Sequence, residues 1–395
     1  MRAAPESGAG TSARSVGTHA DALLSWARDN QTAIVKLIRE FVECESPTDS
    51  PVDVKWFMDL LIESTSDIAL CRLSRNRSLV CRFKLPGNGK NGQLLALGHA
   101  DTVWPLDTLK TMPFRRAEGR LWGPGVLDMK AGIALALHVL EALLAWGNGK
   151  LSRPVTLLLV SDEEVGSATS RAFTEKIARD AAAVLVLEPA YGLHGAVKTA
   201  RKAVGEYTIQ VTGVAAHSGL DFEKGHSAVI ELAHQILEIS KLADEARGVT
   251  LNVGKISGGT RPNVVPATAT ATVDVRIASS KDVAEVERKL TALKSLNLHC
   301  SISIVGRMNR PPMERTEAVA SLYFKAREIA QSLSWDLSEA AVGGGSDGNF
   351  TAALGIPTLD GLGAVGEGAH AEHESVVISE LPKRATLLAS LIESA

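Results

Sequence analysis

Apolar residues recur at helical spacing over residues 21–45 and again over 54–63, so the chain opens with helices. The small, polar stretch before them reads as a flexible tail to about residue 18. Three short apolar runs follow, at 94–98, 155–160 and 184–187. Each ends in polar residues: His99-Ala100-Asp101 after the first, Ser161-Asp162-Glu163-Glu164 after the second, Glu188-Pro189 after the third. Helical spacing at 130–145 and 170–179 separates the runs, and strands that alternate with helices imply an α/β fold with a parallel or mixed sheet. Sheets of that kind bind ligands at the carboxyl ends of their strands, where all three polar endings fall.

From about residue 202 the pattern changes. Residues 206–211 alternate like a strand, 228–242 are helical, 250–256 and 267–277 read as strands, 281–293 as a helix and 299–305 as a strand. That order, β-α-β-β-α-β, belongs to a small ferredoxin-like layer with helices on one face. Past Pro311-Pro312 the first pattern returns: a helix at 317–333, a Gly-rich loop, a strand near Pro357 and a last helix at 381–392. The expected architecture is an α/β domain in two parts, 1–200 and 314–395, its mixed sheet flanked by helices. A ferredoxin-like α+β domain is expected as an insertion at 201–313.

Composition narrows the function. A chain of 395 residues exceeds what one small core serves, in keeping with two domains. No apolar stretch reaches the ~20 residues of a membrane-spanning helix, and the N-terminal residues lack the apolar centre of a signal peptide. A cytoplasmic location without membrane attachment is therefore expected. A net charge of -3, with both signs spread along the chain, leaves no footprint for nucleic acid, so a small molecule is the expected partner. Cys44, Cys71, Cys81 and Cys300 form no CxxC pair, which argues against a thiolate zinc site and against a disulfide framework. They are expected as ordinary core residues.

Zinc needs nitrogen and carboxylate oxygen ligands that converge from several loops, and a catalytic site keeps one position open. Such residues occur at five points: His99 and Asp101 in GHADTV, Asp128 in GPGVLDMKAG, Glu163 and Glu164 in SDEEVGS, Glu188 in LEPA, and His370 in GAHAEHE. Any one alone reads as a helix cap or a solvated acid; their joint occurrence in this order carries the assignment. His373, three residues past His370, is an alternative ligand. Two short patterns point elsewhere. Residues 361–366 satisfy GxGxxG, but no helix follows and no βαβ unit opens there. Residues 344–348 satisfy the GxSxG of serine hydrolases, with Ser346 as nucleophile, a reading that leaves Asp128, Glu163, Glu164 and Glu188 without a role.

Together, HxD, GxxDMKxG, DEExGS, EP and GAHxxxE resemble the co-catalytic zinc peptidase family that includes glutamate carboxypeptidase, aminoacylase and succinyl-diaminopimelate desuccinylase. The likeness runs from about residue 30 onward and is greatest to the bacterial folate-cleaving glutamate carboxypeptidases. It implies two zinc ions per subunit, with cobalt or manganese as substitutes. His99 and Glu188 would hold one ion, Glu164 and His370 the other, and Asp128 would bridge both. Asp101 would orient the His99 imidazole, and Glu163 would be the general base.

The resemblance extends to the inserted domain, and implies that the larger domain is catalytic and the smaller a lid and dimerisation domain. Ala216-His217-Ser218-Gly219 matches the family's AHxG, whose histidine reaches the partner subunit's active site and stabilises the oxyanion, implying a homodimer; a turn histidine is the plainer alternative. Asn263 in GGTRPNVVP resembles the family's lid asparagine. Arg276 in DVR and Arg310 in NRPP stand where glutamate-specific relatives bind a carboxylate; Arg201 and Lys202 are further candidates to line the cleft, with a place on the hinge surface as the equal alternative. The loop GGGSDGN, with Gly345 and Ser346, is expected to form part of the specificity pocket. The implied activity is cleavage of an amide bond to release a C-terminal amino acid, glutamate first among them. N-acyl amino acid hydrolysis, amidase or deaminase action on an aromatic compound, and metal-free binding are the alternatives.

Overall fold

The computed structural model describes residues 11–85, 89–146, 151 and 153–394. Its first elements are helices α1 (Thr11–Asp29), α2 (Gln31–Glu43) and α3 (Pro51–Thr65), then strands β1 (Ala69–Leu73), β2 (Leu79–Phe83) and β3 (Gln93–His99). Next come α4 (Ala131–Trp146), β4 (Val155–Val160), α5 (Arg171–Ala178) and β5 (Ala181–Val186). The middle of the chain forms β6 (Ala203–Thr212), α6 (Ala228–Ser240), β7 (Thr250–Gly258), β8 (Thr268–Ile277), α7 (Ser280–Thr291) and β9 (Ser301–Arg310). It closes with α8 (Glu317–Ser332), β10 (Thr358–Leu359) and α9 (Leu381–Ser394). Helix α1 starts at Thr11, so helix replaces the expected tail well before residue 18; residues 1–10 lie outside the described residues.

The chain divides into two compact units. The larger takes the described residues up to Thr199, Arg315–Ala341 and those from Phe350 on; the smaller is Ala200–Glu314 with Val342–Asn349. The Gly-rich loop thus belongs with the smaller unit rather than with the segment that follows it.

In the larger unit the sheet order is β1-β2-β4-β3-β5-β10. Strands β4, β3, β5 and β10 run parallel, while β2 pairs antiparallel with both β1 and β4. Leu94 and Ala96 of β3 face the core shared with Phe41, Phe57, Leu140 and Leu388, and Leu95 and Leu97 face the opposite core with Val160 and Val186. Both faces are covered, and for that reason β4 is apolar at nearly every position instead of alternating.

The hairpin of β1 and β2 corrects the reading of the cysteines. Its register sets Cys71 directly opposite Cys81, and the two are joined in a disulfide. Cys44 and Cys300 are free. A cross-strand pair ten residues apart carries no CxxC signature, so only the strand register reveals it. No helix among the described residues is long and apolar enough to cross a membrane.

In the smaller unit an antiparallel sheet of order β7-β8-β6-β9 has the ferredoxin-like arrangement. Buried and outward residues alternate strictly along β6 and β8, and the buried set (Tyr207, Ile209, Val211, Val273, Val275) packs with Leu232 and Ile239 of α6 and Val286 and Leu290 of α7.

Helix α4 is apolar on almost every side, as a helix surrounded by core must be. Its buried titratable group is His138, stacked on Trp26 with 4.6 Å between ring centroids, and its Nε2 has no hydrogen-bond partner. Burial pushes this imidazole from its ordinary 6.5 down to about 4. The unfolded chain therefore takes up the proton first as pH falls. Stability from His138 is full above pH 6.5 and drains away toward pH 4, by on the order of 2 kcal/mol once residual solvent screening is allowed for. Replacing His138→Leu should flatten the fall of the urea midpoint across that window; an undiminished acid slope in the variant would refute the assignment.

Candidate metal centre

Three parallel strands aim their carboxyl ends at one place. His99 is the last residue of β3, Glu163 and Glu164 form a single 3₁₀ turn just past β4, and Glu188 follows β5. Close packing fixes the end of β5. Gly132 at the start of α4 and Gly363 both press on Leu187, and a Cβ on either would lie 2.2 Å from the Leu187 carbonyl oxygen. The fully buried Arg384 donates to the carbonyls of Gly363 at 2.8 Å and Gly195 at 3.0 Å, and also to Gly361. The GxGxxG stretch is therefore a packing device beside Glu188. Asp128 sits in an irregular turn before α4, with φ -112° and ψ 93° and a cis bond to Met129. His370 occupies the left-handed region at φ 64°, in which histidine is one of the few side chains enriched.

Asp128 stands between the two imidazoles. One carboxylate oxygen is 3.1 Å from His99 Nε2 and the other 3.3 Å from His370 Nε2. His99 Nε2 is also 3.6 Å from Glu188, and His370 Nε2 is 3.2 Å from Glu164. Ligand atoms of His99, Asp128 and Glu164 all lie within 4.8 Å of one another, as do those of His99, Glu163 and Glu188. His370 makes these contacts with its side chain 48% exposed, and His373 is exposed as well.

Asp101 supports the cluster in a manner the sequence does not disclose. The nearer acceptor for His99 Nδ1 is the Asp101 backbone carbonyl, at 2.9 Å, with the carboxylate at 3.5 Å. A proton on Nδ1 turned to that carbonyl leaves the Nε2 lone pair facing the carboxylates, the tautomer of a metal ligand. The Asp101 carboxylate instead accepts the backbone N–H groups of Glu163 and Glu164, each at 3.2 Å, and the Thr48 hydroxyl at 2.8 Å.

The electrostatics are those of a cation site. Hydrogen bonds to Asp128 and Glu164 push His370 up to about 10. Burial pulls His99 down, but hydrogen bonds to Asp101 and Asp128 outweigh it and the imidazole ends well above its ordinary value. Burial raises Asp128, yet its bonds to His370 and His99 hold it below the usual carboxylate range. Four carboxylates thus share two imidazoles. Oε1 of Glu164 is buried without a hydrogen-bond partner, an expensive arrangement for a carboxylate oxygen that a metal ion would satisfy. Imidazole nitrogen with carboxylate oxygen suits zinc, cobalt or manganese.

The remaining candidates lie in the smaller unit. His217 is exposed, and its Nδ1 accepts the Gly219 N–H at 3.1 Å, so its proton resides on Nε2. The Asn263 carbonyl accepts the Ser218 N–H at 3.1 Å, which places His217 and Asn263 at one corner. Arg276 forms two hydrogen bonds of 2.8 Å with Asp274, so its fork is engaged within the unit. Arg310 is buried and paired with Asp347 at 2.6 Å. Gly345 allows that pairing, because a Cβ there would lie 2.7 Å from Arg310 Cδ. Arg201 donates to the carbonyls of Gly344 and Gly345 at 3.0 and 3.1 Å. Ser346 is fully buried, and its Oγ accepts the Gly348 N–H at 3.1 Å. It is a turn residue and not an accessible nucleophile.

One participant escaped the sequence reading except as a letter in a motif. Glu374 is fully buried and accepts from the backbone N–H groups of Gly125, Leu127 and Asp128 and from the Trp104 indole. Burial raises this carboxyl, against the opposing pull of those donors.

A family model described as peptidase family M20/M25/M40 matches residues 95–394. The chain belongs to peptidase family M20/M25/M40. Carboxypeptidase G2 of Pseudomonas sp. (strain RS-16) is 29% identical over 378 residues, 94% of this chain and 91% of its own length. Succinyl-diaminopimelate desuccinylase of Dechloromonas aromatica (strain RCB) is 26% identical over 382 residues, 91% and 97% of the two chains. Aminopeptidase PepT from Bacillus cereus ATCC 10987 superposes with a TM-score of 0.79 at 22% identity, covering 92% of this chain and 98% of its own. An M20 family metallo-carboxypeptidase from Sulfolobus solfataricus gives 0.72 at 16%, covering 91% and 98%. At such identities the superpositions speak for the fold alone. This M20/M25/M40 member is a hydrolase of the metallopeptidase and amidohydrolase type, and the serine-nucleophile and metal-free binding readings are set aside.

Proposed function

We propose that this protein is a two-zinc carboxypeptidase that removes a C-terminal glutamate from an amide-linked substrate. The observation that carries the reading is Asp128, presenting one oxygen to His99 and the other to His370. His99 and Glu188 would hold one ion and Glu164 and His370 the other, with Asp128 shared; cobalt or manganese would serve in place of zinc. When bound, the ions polarise the scissile carbonyl and make water acidic enough to attack near neutral pH. Glu163 accepts the proton of the attacking water on its carboxylate and returns it to the leaving nitrogen. Asp101 fixes the Glu163–Glu164 turn and the His99 tautomer through the contacts described above. The whole-length likeness to Carboxypeptidase G2 and the cationic Arg310 favour glutamate. The likeness to a desuccinylase keeps N-acyl amino acids as the second substrate class.

We further propose a homodimer in which His217 serves the partner's site, its Nε2–H stabilising the oxyanion with help from Asn263. Ile230 and Leu237 are each 60% exposed one heptad apart on α6, and Ile256 is 62% exposed on the edge strand β7, an apolar surface suited to burial between subunits.

The base assignment predicts that Glu163→Gln lowers kcat by roughly 10²- to 10⁴-fold while zinc content, read by metal analysis after dialysis, stays at the wild-type level. Loss of metal in the variant, or retained turnover, would contradict the role. The substrate assignment predicts that, among N-acyl derivatives of Glu, Asp, Ala and Leu, acidic leaving groups have the highest kcat/KM. Arg310→Lys keeps a cation opposite Asp347 but loses the planar fork, and should narrow that preference by roughly 30-fold or more. Indifference to the leaving residue would point to a general aminoacylase. The dimer assignment predicts rescue: when inactive Glu163→Gln and His217→Ala proteins are mixed and reassembled, about a quarter of sites should regain both groups if His217 acts across the interface. No recovery in a mixture shown to exchange subunits would place His217 with its own subunit or outside catalysis.

A further inference from the structure

Glu374 is not among the groups that approach the imidazoles, yet it touches the segment that carries Asp128 on three sides. Its Oε1 accepts the N–H groups of Leu127 at 2.8 Å and Asp128 at 3.0 Å, and its Oε2 accepts Gly125 N–H at 3.0 Å and Trp104 Nε1 at 2.8 Å. All four neighbours are donors and none can accept a proton, so the contacts are made by the carboxylate anion. Asp128 and Met129 have non-helical backbone angles, and while the Lys130 and Ala131 N–H groups bond to the Gly125 and Val126 carbonyls, the Leu127 and Asp128 N–H groups turn to Glu374. Without Glu374, the amides of residues 125, 127 and 128 would lose this acceptor, and a buried amide left unpaired is costly. The same carboxylate links three segments that bear candidate ligands: Trp104 follows His99 by five residues, the amides belong to the Asp128 turn, and Glu374 itself follows His370 by four.

We propose that Glu374 is a positioning residue for the metal centre, an anionic anchor that sets the orientation of Asp128 and ties the His99 and His370 loops to it. The inference rests on the two-metal reading above. The anchor works in two ways. It aims the Asp128 carboxylate so that each oxygen meets a different imidazole, and it places a further negative charge behind the bridging ligand, which raises cation affinity. An amide at this position would turn an NH₂ toward an N–H donor and lose both effects. An aspartate would keep the charge one methylene short of its donors.

The test is zinc affinity measured by chelator competition on metal-stripped protein, alongside thermal unfolding of the same metal-stripped samples. Wild type should bind two equivalents. Glu374→Gln should weaken at least one of them by about 10- to 100-fold, and Glu374→Asp should recover part of the loss. If wild type binds no zinc, the metal reading itself fails. If wild type binds and a folded Glu374→Gln binds equally well, the anchor is overturned, whatever happens to its melting temperature, because a purely structural role moves unfolding and not affinity. Should Glu374→Gln fail to fold, Trp104→Phe removes one of the four donors and decides the matter. Weaker zinc binding with unchanged unfolding of the stripped protein supports the anchor, and unchanged zinc binding overturns it.

Discussion

Carboxylates gathered at the ends of three parallel strands repel one another, and the larger unit is organised around holding them together. Asp128, Glu163, Glu164 and Glu188 converge on two imidazoles, His99 at the buried end and His370 half exposed at the other. Their supports are largely backbone groups. Asp101 grips the amides of Glu163 and Glu164, Glu374 grips those of Leu127 and Asp128, and the Asp101 carbonyl accepts the hydrogen bond of His99 Nδ1–H. Amide dipoles fix direction without adding a full positive charge that would compete with a metal ion for the same carboxylates. The supporting acids also add to the negative potential felt by anything bound there.

The strand ends were legible because strands buried on both faces are written as unbroken apolar runs. In 94–98, 155–160 and 184–187 the run stops where the chain leaves the sheet, so the polar residue that follows is marked as an end and not as a face. In the smaller unit the opposite rule served: one solvated face produces the strict alternation of 203–212 and 268–277. The hairpin of β1 and β2 satisfied neither rule. It lies at the edge of the sheet, β1 is buried only at Ala69, and nothing in the spacing of Cys71 and Cys81 shows that the two are opposite each other.

The sequence was equally silent about supports. Asp101 was expected to orient the His99 imidazole, and its nearer contact with Nδ1 is through its backbone carbonyl, which no side-chain type could announce. Arg384 carries a full charge inside a helix that reads as core, and only the three carbonyls around it explain why. Side chains that bind another segment's backbone leave no periodic trace, since their partners are amides and carbonyls present at every position. Ligands can be recognised by residue type and place; anchors become visible only when the chain is folded.

A further division separates the candidate metal ligands from the residues proposed to select the substrate. Every candidate metal ligand belongs to the larger unit, whereas Arg276, Arg310 and the loop 343–349 belong to the smaller. Hydrolysis of an amide asks the same of the metal centre whatever residue is released, so the centre can remain constant while recognition varies. The arginines must then be weighed by their own partners. Arg276 has its fork filled by Asp274. Arg310 is buried against Asp347, a pair that keeps its guanidinium fixed and lowers its net positive field. On the proposed reading a substrate carboxylate there would share the cation with Asp347, so any preference for an acidic residue would depend on that acid as well as on the arginine.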